Sequence, residues 1–480
     1  MTQTRMPVRA SPYAHQQDAF EFVTRLFTED ASPGAALLME MGTGKTLTTI
    51  CIVGALWLTG RIKRVLIVAP LSIVGVWQEE FAKFADFRYN LAVLSGSGTK
   101  KADTLRAMTG TTALQVAVVN YESAWRMEDE IKAWRPDLVV CDEGHKIKSH
   151  GANASKAMHR IGAAARYRLL LTGTPVTNKA LDIFSQYKFL NPEIFGRSFY
   201  AFRNRYFDMT GYGQHTPVMK RHMEQEFTQR LHCIAFRATK AECLDLPDTV
   251  DIVRLVELEP AARRTYRDLV RDSYAELGES SVTATNILTR LMRLSQLTGG
   301  FIGNDDDPKP RQISRAKLAA LEDIIDQAAA EGKKLVVIAR FVPEIKAITA
   351  LLEKMGIAFS CVDGQRRQGD VVKARAEQVA RFQTDPAVSV FVGQIATAGL
   401  GITLTAASTL VFYSLDYSMS NFEQAKARIH RVGQAEKCTY IYLTAWGTVD
   451  EKVLRALREK ADLARLLVDD YRQGGNPYDG

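Results

Sequence analysis

No stretch of the chain approaches the roughly 20 uninterrupted apolar residues that a membrane span requires, and residues 1–12 carry two arginines with no apolar core behind them. Neither a membrane protein nor an exported one is expected, so the reading is of a soluble intracellular protein. Cysteine is sparse: Cys51, Cys141, Cys233, Cys243, Cys361 and Cys438 form no Cys-x-x-Cys pair, which argues for reduced thiols rather than a disulfide framework or a zinc site. His215, His222, His232, Cys233 and Cys243 fall close together, but their spacings match no metal-ligand pattern and read as part of a polar helical insertion.

What is present is the composition of a globular chain. The 480 residues are 46% apolar and 24% charged, and at about 150 residues per domain the length predicts roughly three units. A net charge of +8 permits a polyanionic partner without demanding one.

Five short β-branched or aliphatic runs (residues 35–39, 64–69, 115–120, 137–141 and 168–171) alternate with helical patterning in the first 180 residues, which predicts a parallel α/β sheet. Five more follow at 335–339, 359–362, 388–392, 409–413 and 439–443. The fold class read from this is α/β, with two lobes of one architecture and helical insertions between them. The expected boundaries are 1–195 for the first lobe, 196–315 for a helical insertion ending in a linker loop at 303–310, 316–470 for the second lobe, and 471–480 for a flexible tail. The apolar spacing over 286–297 predicts a helix face packed into a core.

In open α/β sheets ligands bind at the carboxyl ends of the strands, and unusual residues stand there. After the first run comes Met39-Glu40-Met41-Gly42-Thr43-Gly44-Lys45-Thr46, a phosphate-binding loop in which Met39 replaces the usual first glycine. Backbone N–H groups and a helix N-terminus would cradle phosphate, Lys45 would neutralise it and Thr46 would hold Mg²⁺. After the fourth run comes Asp142-Glu143-Gly144-His145. Asp142 would bind Mg²⁺, largely through water, while Glu143 would position and deprotonate an attacking water. Because neighbouring residues on a strand point in opposite directions, the strand must end there for both acids to serve one site. Gln424, Arg428 and Arg431 are spaced i, i+4, i+7 within 423–432, which predicts one helical face carrying two arginine fingers.

In this order, these residues resemble helicase superfamily two, and within it the Swi/Snf-type DNA translocases, over about 440 of the 480 positions. The resemblance implies two RecA-like lobes and an ATP-hydrolysing motor. Gln16 resembles the family's adenine-reading glutamine, and residues 66–81, with Trp77, its nucleic-acid-contacting segment. Residues 171–178, including Thr172, Gly173 and Thr174, are similar to the segment that couples ATP state to lobe movement. Arg237-Ala238-Thr239-Lys240 resembles an arginine-arginine-x-lysine element whose second arginine is alanine here. Ala398-Gly399-Leu400-Gly401 resembles the glycine-rich motif of the second lobe, and the string from Gln424 to Gln434 ends in Gly-Gln where RNA helicases of the DEAD class usually end in Gly-Arg.

The implied cofactors are ATP and Mg²⁺, with ATP held between the lobes. The implied partner is double-stranded DNA, gripped by its backbone through Ser72, Trp77, Tyr121, Arg340 and Ala398, while Gly399 and Gly401 belong to the coupling set. Single-stranded DNA ranks next and RNA behind it. The motor is expected to act as a monomer, in the cytoplasm of a prokaryote or a virus's host cell, or in the nucleus of a eukaryote. A strand-separating helicase of repair or replication, or the motor subunit of a nuclease or defence complex, are the alternatives. No nuclease-like carboxylate–lysine cluster occurs outside the motor motifs.

Overall fold

Short runs of Val, Leu, Ile and Ala with no polar face fit strands covered on both sides, and in the computed structural model they become two all-parallel sheets. The structure describes residues 6–71, 73–110, 112–176, 179–210, 216–279, 284–303, 310–363, 371–395 and 402–468. The first sheet contains β1 (Gly34–Met39), β2 (Arg64–Ala69), β3 (Tyr89–Val93), β4 (Leu114–Asn120), β5 (Leu138–Asp142), β6 (Tyr167–Leu171) and, after the antiparallel hairpin β7 (Phe207–Thr210) and β8 (Thr216–Met219), β9 (Ala235–Ala238). Its order is β3-β4-β2-β5-β6-β1-β9. Leu37 of β1 lies opposite Leu171 on one side and Phe236 on the other. Both β1 and β5 are buried along their whole length, which aims the loops at their carboxyl ends from a rigid base.

The second sheet contains β10 (Thr249–Val256), β13 (Leu335–Ala339), β14 (Phe359–Val362), β15 (Val390–Gln394), β16 (Thr409–Phe412) and β17 (Cys438–Ala445), in the order β10-β17-β16-β13-β15-β14. A short pair, β11 (Phe301–Ile302) and β12 (Arg311–Gln312), lies outside it. Leu294 and Leu297 are buried in the second unit's interior, as the 286–297 spacing predicts. Among the described residues no helix is long and apolar enough to cross a membrane.

The α/β expectation of two parallel-sheet lobes holds, with three strands added. β3 is a half-exposed edge strand, β9 has four residues with an arginine among them, and β10 is an exposed edge strand. None of the three offers the continuous apolar run that marks a buried strand. They also move the boundaries. One compact unit reaches Leu244 and takes in residues 460–468, and the other is Asp245–Glu459. The segment 196–315 is therefore divided rather than separate: its first part completes the first sheet through β9, and its second part opens the other sheet through β10. Phe195, Phe202, Tyr206 and Phe227 cement the first part with edge-on and tilted ring contacts 5.1–6.2 Å apart. The loop at 304–309 and the tail from 469 lie outside the described residues.

Candidate active site

The loop after β1 closes with Gly44 in the left-handed region, φ +93°, and Lys45 starts the helix Lys45–Leu58. A Cβ at Gly44 would stand 2.0 Å from Gln16 Nε2, so backbone sign and crowding both require glycine. Gln16 is buried on the loop. Its Nε2 donates to the Thr43 carbonyl (3.1 Å) and its Oε1 accepts from Tyr13 N–H (3.0 Å), at the start of the helix Ala14–Thr28. The Thr43 hydroxyl donates to the Glu40 carbonyl (2.8 Å). Met41 and Gly42 complete the turn, and Thr46 stands in the first turn of the helix.

The Lys45 ammonium donates to the carbonyls of Met39 (2.8 Å) and Glu40 (3.2 Å). Burial pulls its pKa down, while Glu143, Asp142 and Glu40 push the other way. The cation is thus fixed at the mouth of β1, facing acidic groups.

Two of those acids, Asp142 and Glu143, sit at the end of β5. The strand stops at Asp142, and Glu143 turns into the left-handed region at φ +51°, which is how two adjacent carboxylates come to serve one site. Asp142 Oδ2 accepts from the Trp77 indole N–H (3.0 Å) and Oδ1 from Glu143 N–H (2.9 Å), while Tyr121 O–H donates to the Asp142 carbonyl (2.7 Å). Burial raises the Asp142 pKa, with the Glu143 charge adding to it and Lys45 opposing. Glu143 Oε2 lies 3.3 Å from His145 Nδ1.

Trp77 and Tyr121 correct the sequence reading. Trp77 is 1% and Tyr121 8% exposed, so neither presents a surface to nucleic acid. Both hold Asp142 from behind. Ser72, Ala398, Gly399 and Gly401 lie outside the described residues, and Arg340 is half-buried with its guanidinium 4.9 Å from the Phe341 ring centre.

The coupling segment meets the same loop. Thr172 N–H donates to the Leu37 carbonyl (3.1 Å), Thr174 N–H donates to Thr172 Oγ1 (3.1 Å), and a Cβ on Gly173 would press on the Met39 carbonyl oxygen at 3.2 Å. Sequence reading gave no role at the site to Glu40 and Arg237. Arg237 is buried on β9, with Nη1 donating to the Leu38 carbonyl (2.9 Å) and Nη2 lying 3.4 Å from Glu40 Oε1. Lys240 N–H donates to the other Glu40 oxygen (2.9 Å). The Arg237-to-Lys240 string thus anchors the start of the phosphate loop, and the signal for it was an acid inside that loop together with a lone arginine in a short apolar run.

A hard divalent cation fits this chemistry. Two adjacent carboxylates raise each other's cost of ionisation when buried, and a divalent charge beside Asp142 would relieve it. Among the described residues no group of three His, Cys, Asp or Glu side chains gathers for a metal. The protein would therefore supply one or two oxygens, from Asp142 and Thr46, with phosphate and water supplying the rest, as Mg²⁺ favours.

In the second unit the helix Met419–Lys426 ends before the arginines, so Gln424, Arg428 and Arg431 do not form one helical stripe. Past the helix, Gln434 Nε2 donates to the carbonyls of Ala407 (2.9 Å) and Ile429 (3.1 Å), tying the turn to the residues just before β16. Gln424 Nε2 donates to Ser420 Oγ (3.3 Å), and Arg428, 8% exposed, donates through Nη1 to the Ile402 carbonyl (3.3 Å). Arg431 is half-buried in the following bend.

Residues 15–299 match the model of the SNF2-related domain. The chain belongs to the SNF2-related family. Residues 316–433 match a second model, the helicase conserved C-terminal domain, in line with the Swi/Snf-type resemblance of the motifs. This SNF2-related chain is 26% identical over 483 residues to the DNA repair and recombination protein RDH54 of Saccharomyces cerevisiae, covering 91% of the chain and 51% of the relative. It is 28% identical over 483 residues to the DNA repair and recombination protein RAD54-like of Drosophila ananassae, covering 91% of the chain and 60% of the relative. It spans about half the length of the curated relatives it matches. Among solved structures it is similar to the Sulfolobus solfataricus SWI2/SNF2 ATPase core in complex with dsDNA, at 25% identity over 98% of this chain and 95% of the other, with a TM-score of 0.47.

Proposed function

We propose that the chain hydrolyses ATP when it engages double-stranded DNA and uses the cycle to move along the duplex, in the service of DNA repair. The observation that carries the chemistry is the convergence of Lys45, Asp142 and Glu143 at the carboxyl ends of β1 and β5, with Glu143 and Asp142 acting on the charge of Lys45 and Glu143 and Lys45 on that of Asp142. Such clusters of perturbed groups mark sites built for charge that arrives with a substrate. Membership of the SNF2-related family and the repair function in the relatives' names support the DNA and repair parts of the reading.

In this mechanism Lys45 exchanges its loop carbonyls for the β- and γ-phosphate oxygens, and Gln16 presents its amide to the adenine. Asp142, held by Trp77 and Tyr121, and Thr46 would hold Mg²⁺, which would supply positive charge against the charge developing on the phosphates. Glu143 orients the attacking water and takes its proton. Arg428 and Arg431 are proposed as the guanidiniums that stabilise the transferring phosphoryl group, on the motif they share with Gln424. Thr172–Thr174, resting on the phosphate loop, relays its state.

The test is steady-state ATPase against duplex DNA, single-stranded DNA and RNA at low and moderate salt, with Lys45→Ala as control. Stimulation by duplex above the other polymers, lost in Lys45→Ala, is expected. Stimulation mainly by single strands would replace translocation by strand separation, and a Lys45→Ala variant near wild-type rate would overturn the site.

A further inference from the structure

The second unit carries a groove of about 910 Å³ that none of the motor motifs lines. One wall is the helix Pro260–Glu279, where Arg264, Arg267 and Arg271 recur at i, i+3, i+7 and share a face. The other wall is the turn after β17, which holds Trp446. Trp446 is the tryptophan that stands out among the chain's five: it is 50% exposed, whereas Trp77 and Trp134 are buried and Trp57 and Trp125 half-buried.

The turn is built rather than loose. Trp446 N–H donates to the Val256 carbonyl (2.9 Å), Gly447 N–H to Glu451 Oε1 (3.1 Å), and Val449 N–H to Tyr266 O–H on the arginine helix (2.8 Å). The Arg263 guanidinium lies 4.9 Å from the Trp446 ring centre. Among the described residues, four guanidiniums, of Arg263, Arg264, Arg267 and Arg271, face the groove against one carboxylate, Asp268, which lies 3.3 Å from Arg271.

Exposing half of a large aromatic ring costs hydrophobic stabilisation, and a wall whose described lining is net positive attracts an anion. The matching occupant has flat unpaired rings and regularly spaced anions. Arginine, rather than lysine, suits the bidentate geometry of phosphate, and a fixed tryptophan beside such a row suits base stacking. We propose that this groove binds a short segment of single-stranded nucleic acid, with a base on Trp446 and successive phosphates on Arg264, Arg267 and Arg271. The site is additional to the proposed duplex track and does not rest on it.

The test uses the full chain and a fluorescein-labelled 12-nucleotide oligo(dT), with anisotropy read in the presence of excess unlabelled duplex. Residual oligo(dT) binding is expected in wild type. Trp446→Ala weakens it about tenfold, the loss expected for one stacked base, and Trp446→Phe recovers most of it. Arg264→Glu combined with Arg267→Glu weakens it further and lowers the salt dependence by about 1.4, the single-strand value for two phosphate contacts. Duplex-stimulated ATPase, measured separately, stays at the wild-type level in all three variants. Complete displacement of oligo(dT) by duplex, equal affinity in wild type and the arginine variant, or preference for poly(Glu) over oligo(dT) would each overturn the proposal. The last would assign the groove to an acidic protein segment instead.

Discussion

Trp77→Phe separates two roles for one residue. The indole N–H donates to Asp142 Oδ2 at 3.0 Å from a side chain that is 1% exposed. A hydrogen bond to a charged group contributes about 1.5–3 kcal/mol. At 1.36 kcal/mol per factor of ten, losing all of it in the transition state lowers kcat by about 10- to 150-fold. Phenylalanine keeps a ring beside Phe81, whose centre lies 6.4 Å from that of Trp77, and the smaller ring costs roughly a further 1–2 kcal/mol of stability. The assay is steady-state ATPase at saturating ATP across a duplex titration, with thermal unfolding alongside. The expected result is a reduced kcat with and without DNA, and a half-saturating duplex concentration within about twofold of wild type. An unchanged kcat with weakened duplex affinity would refute the structural argument and return Trp77 to the nucleic-acid surface.

Glu344 tests the second unit. It is 1% exposed, accepts from Phe341 N–H (3.0 Å), Arg340 N–H (3.1 Å) and the Ser414 hydroxyl, and burial pushes its pKa up to about 7 against the pull of Ser414 and Lys317. The folded state thus keeps a proton that the unfolded chain releases near pH 4.5, so this group's contribution is full below that pH and is lost as pH rises toward 7. Urea unfolding should show Glu344→Gln gaining on wild type by on the order of 3 kcal/mol between pH 4.5 and 8, and a pH-independent difference would refute this. Arg237→Ala should lower the thermal midpoint and raise the half-saturating ATP concentration by about tenfold, since a buried charged donor to the phosphate loop is lost. Arg237→Lys should recover little of it, because a single nitrogen on a shorter side chain lacks the two separately directed Nη donors that reach the Leu38 carbonyl and Glu40, and full recovery would count against the anchoring role. Gln16→Ala removes one hydrogen bond to the loop, at the Thr43 carbonyl, and one to Tyr13 N–H at the start of its own helix, and should raise the KM for ATP about tenfold with kcat near wild type. An unaltered KM would show that Gln16 only caps its helix.

The sequence made the sheets legible wherever a strand is buried on both faces. β1, β2, β4, β5 and β6 were each marked by an unbroken apolar run, because a covered parallel strand has no polar side to show. β3 and β10 escaped because edge strands meet water, and β9 because four residues around Arg237 carry too little pattern. Lys45, Asp142 and Glu143 were legible through spacing, which is local. The errors came from reading local spacing as direction. The i, i+4, i+7 register of Gln424, Arg428 and Arg431 assumed a helix that ends at Lys426, and Trp77, given to nucleic acid by the family resemblance, turns its indole inward to Asp142. The link between Glu40 and Arg237 spans nearly 200 positions, a separation at which no single-sequence pattern operates.

That same separation sets a timetable for synthesis. β1 gains its first neighbour when β6 emerges and its second only with β9, whose residue 235 pairs with Ala36. At about 5–20 residues per second the ribosome needs roughly 10–40 s to make the intervening chain. Throughout that interval an entirely apolar strand carries an open edge, the condition under which chains pair with the wrong neighbour. The phosphate loop, whose Glu40 waits for Arg237 and Lys240, is completed after the rest of its sheet. A nascent chain stalled before residue 235 therefore displays the strand of its future nucleotide site as its stickiest surface.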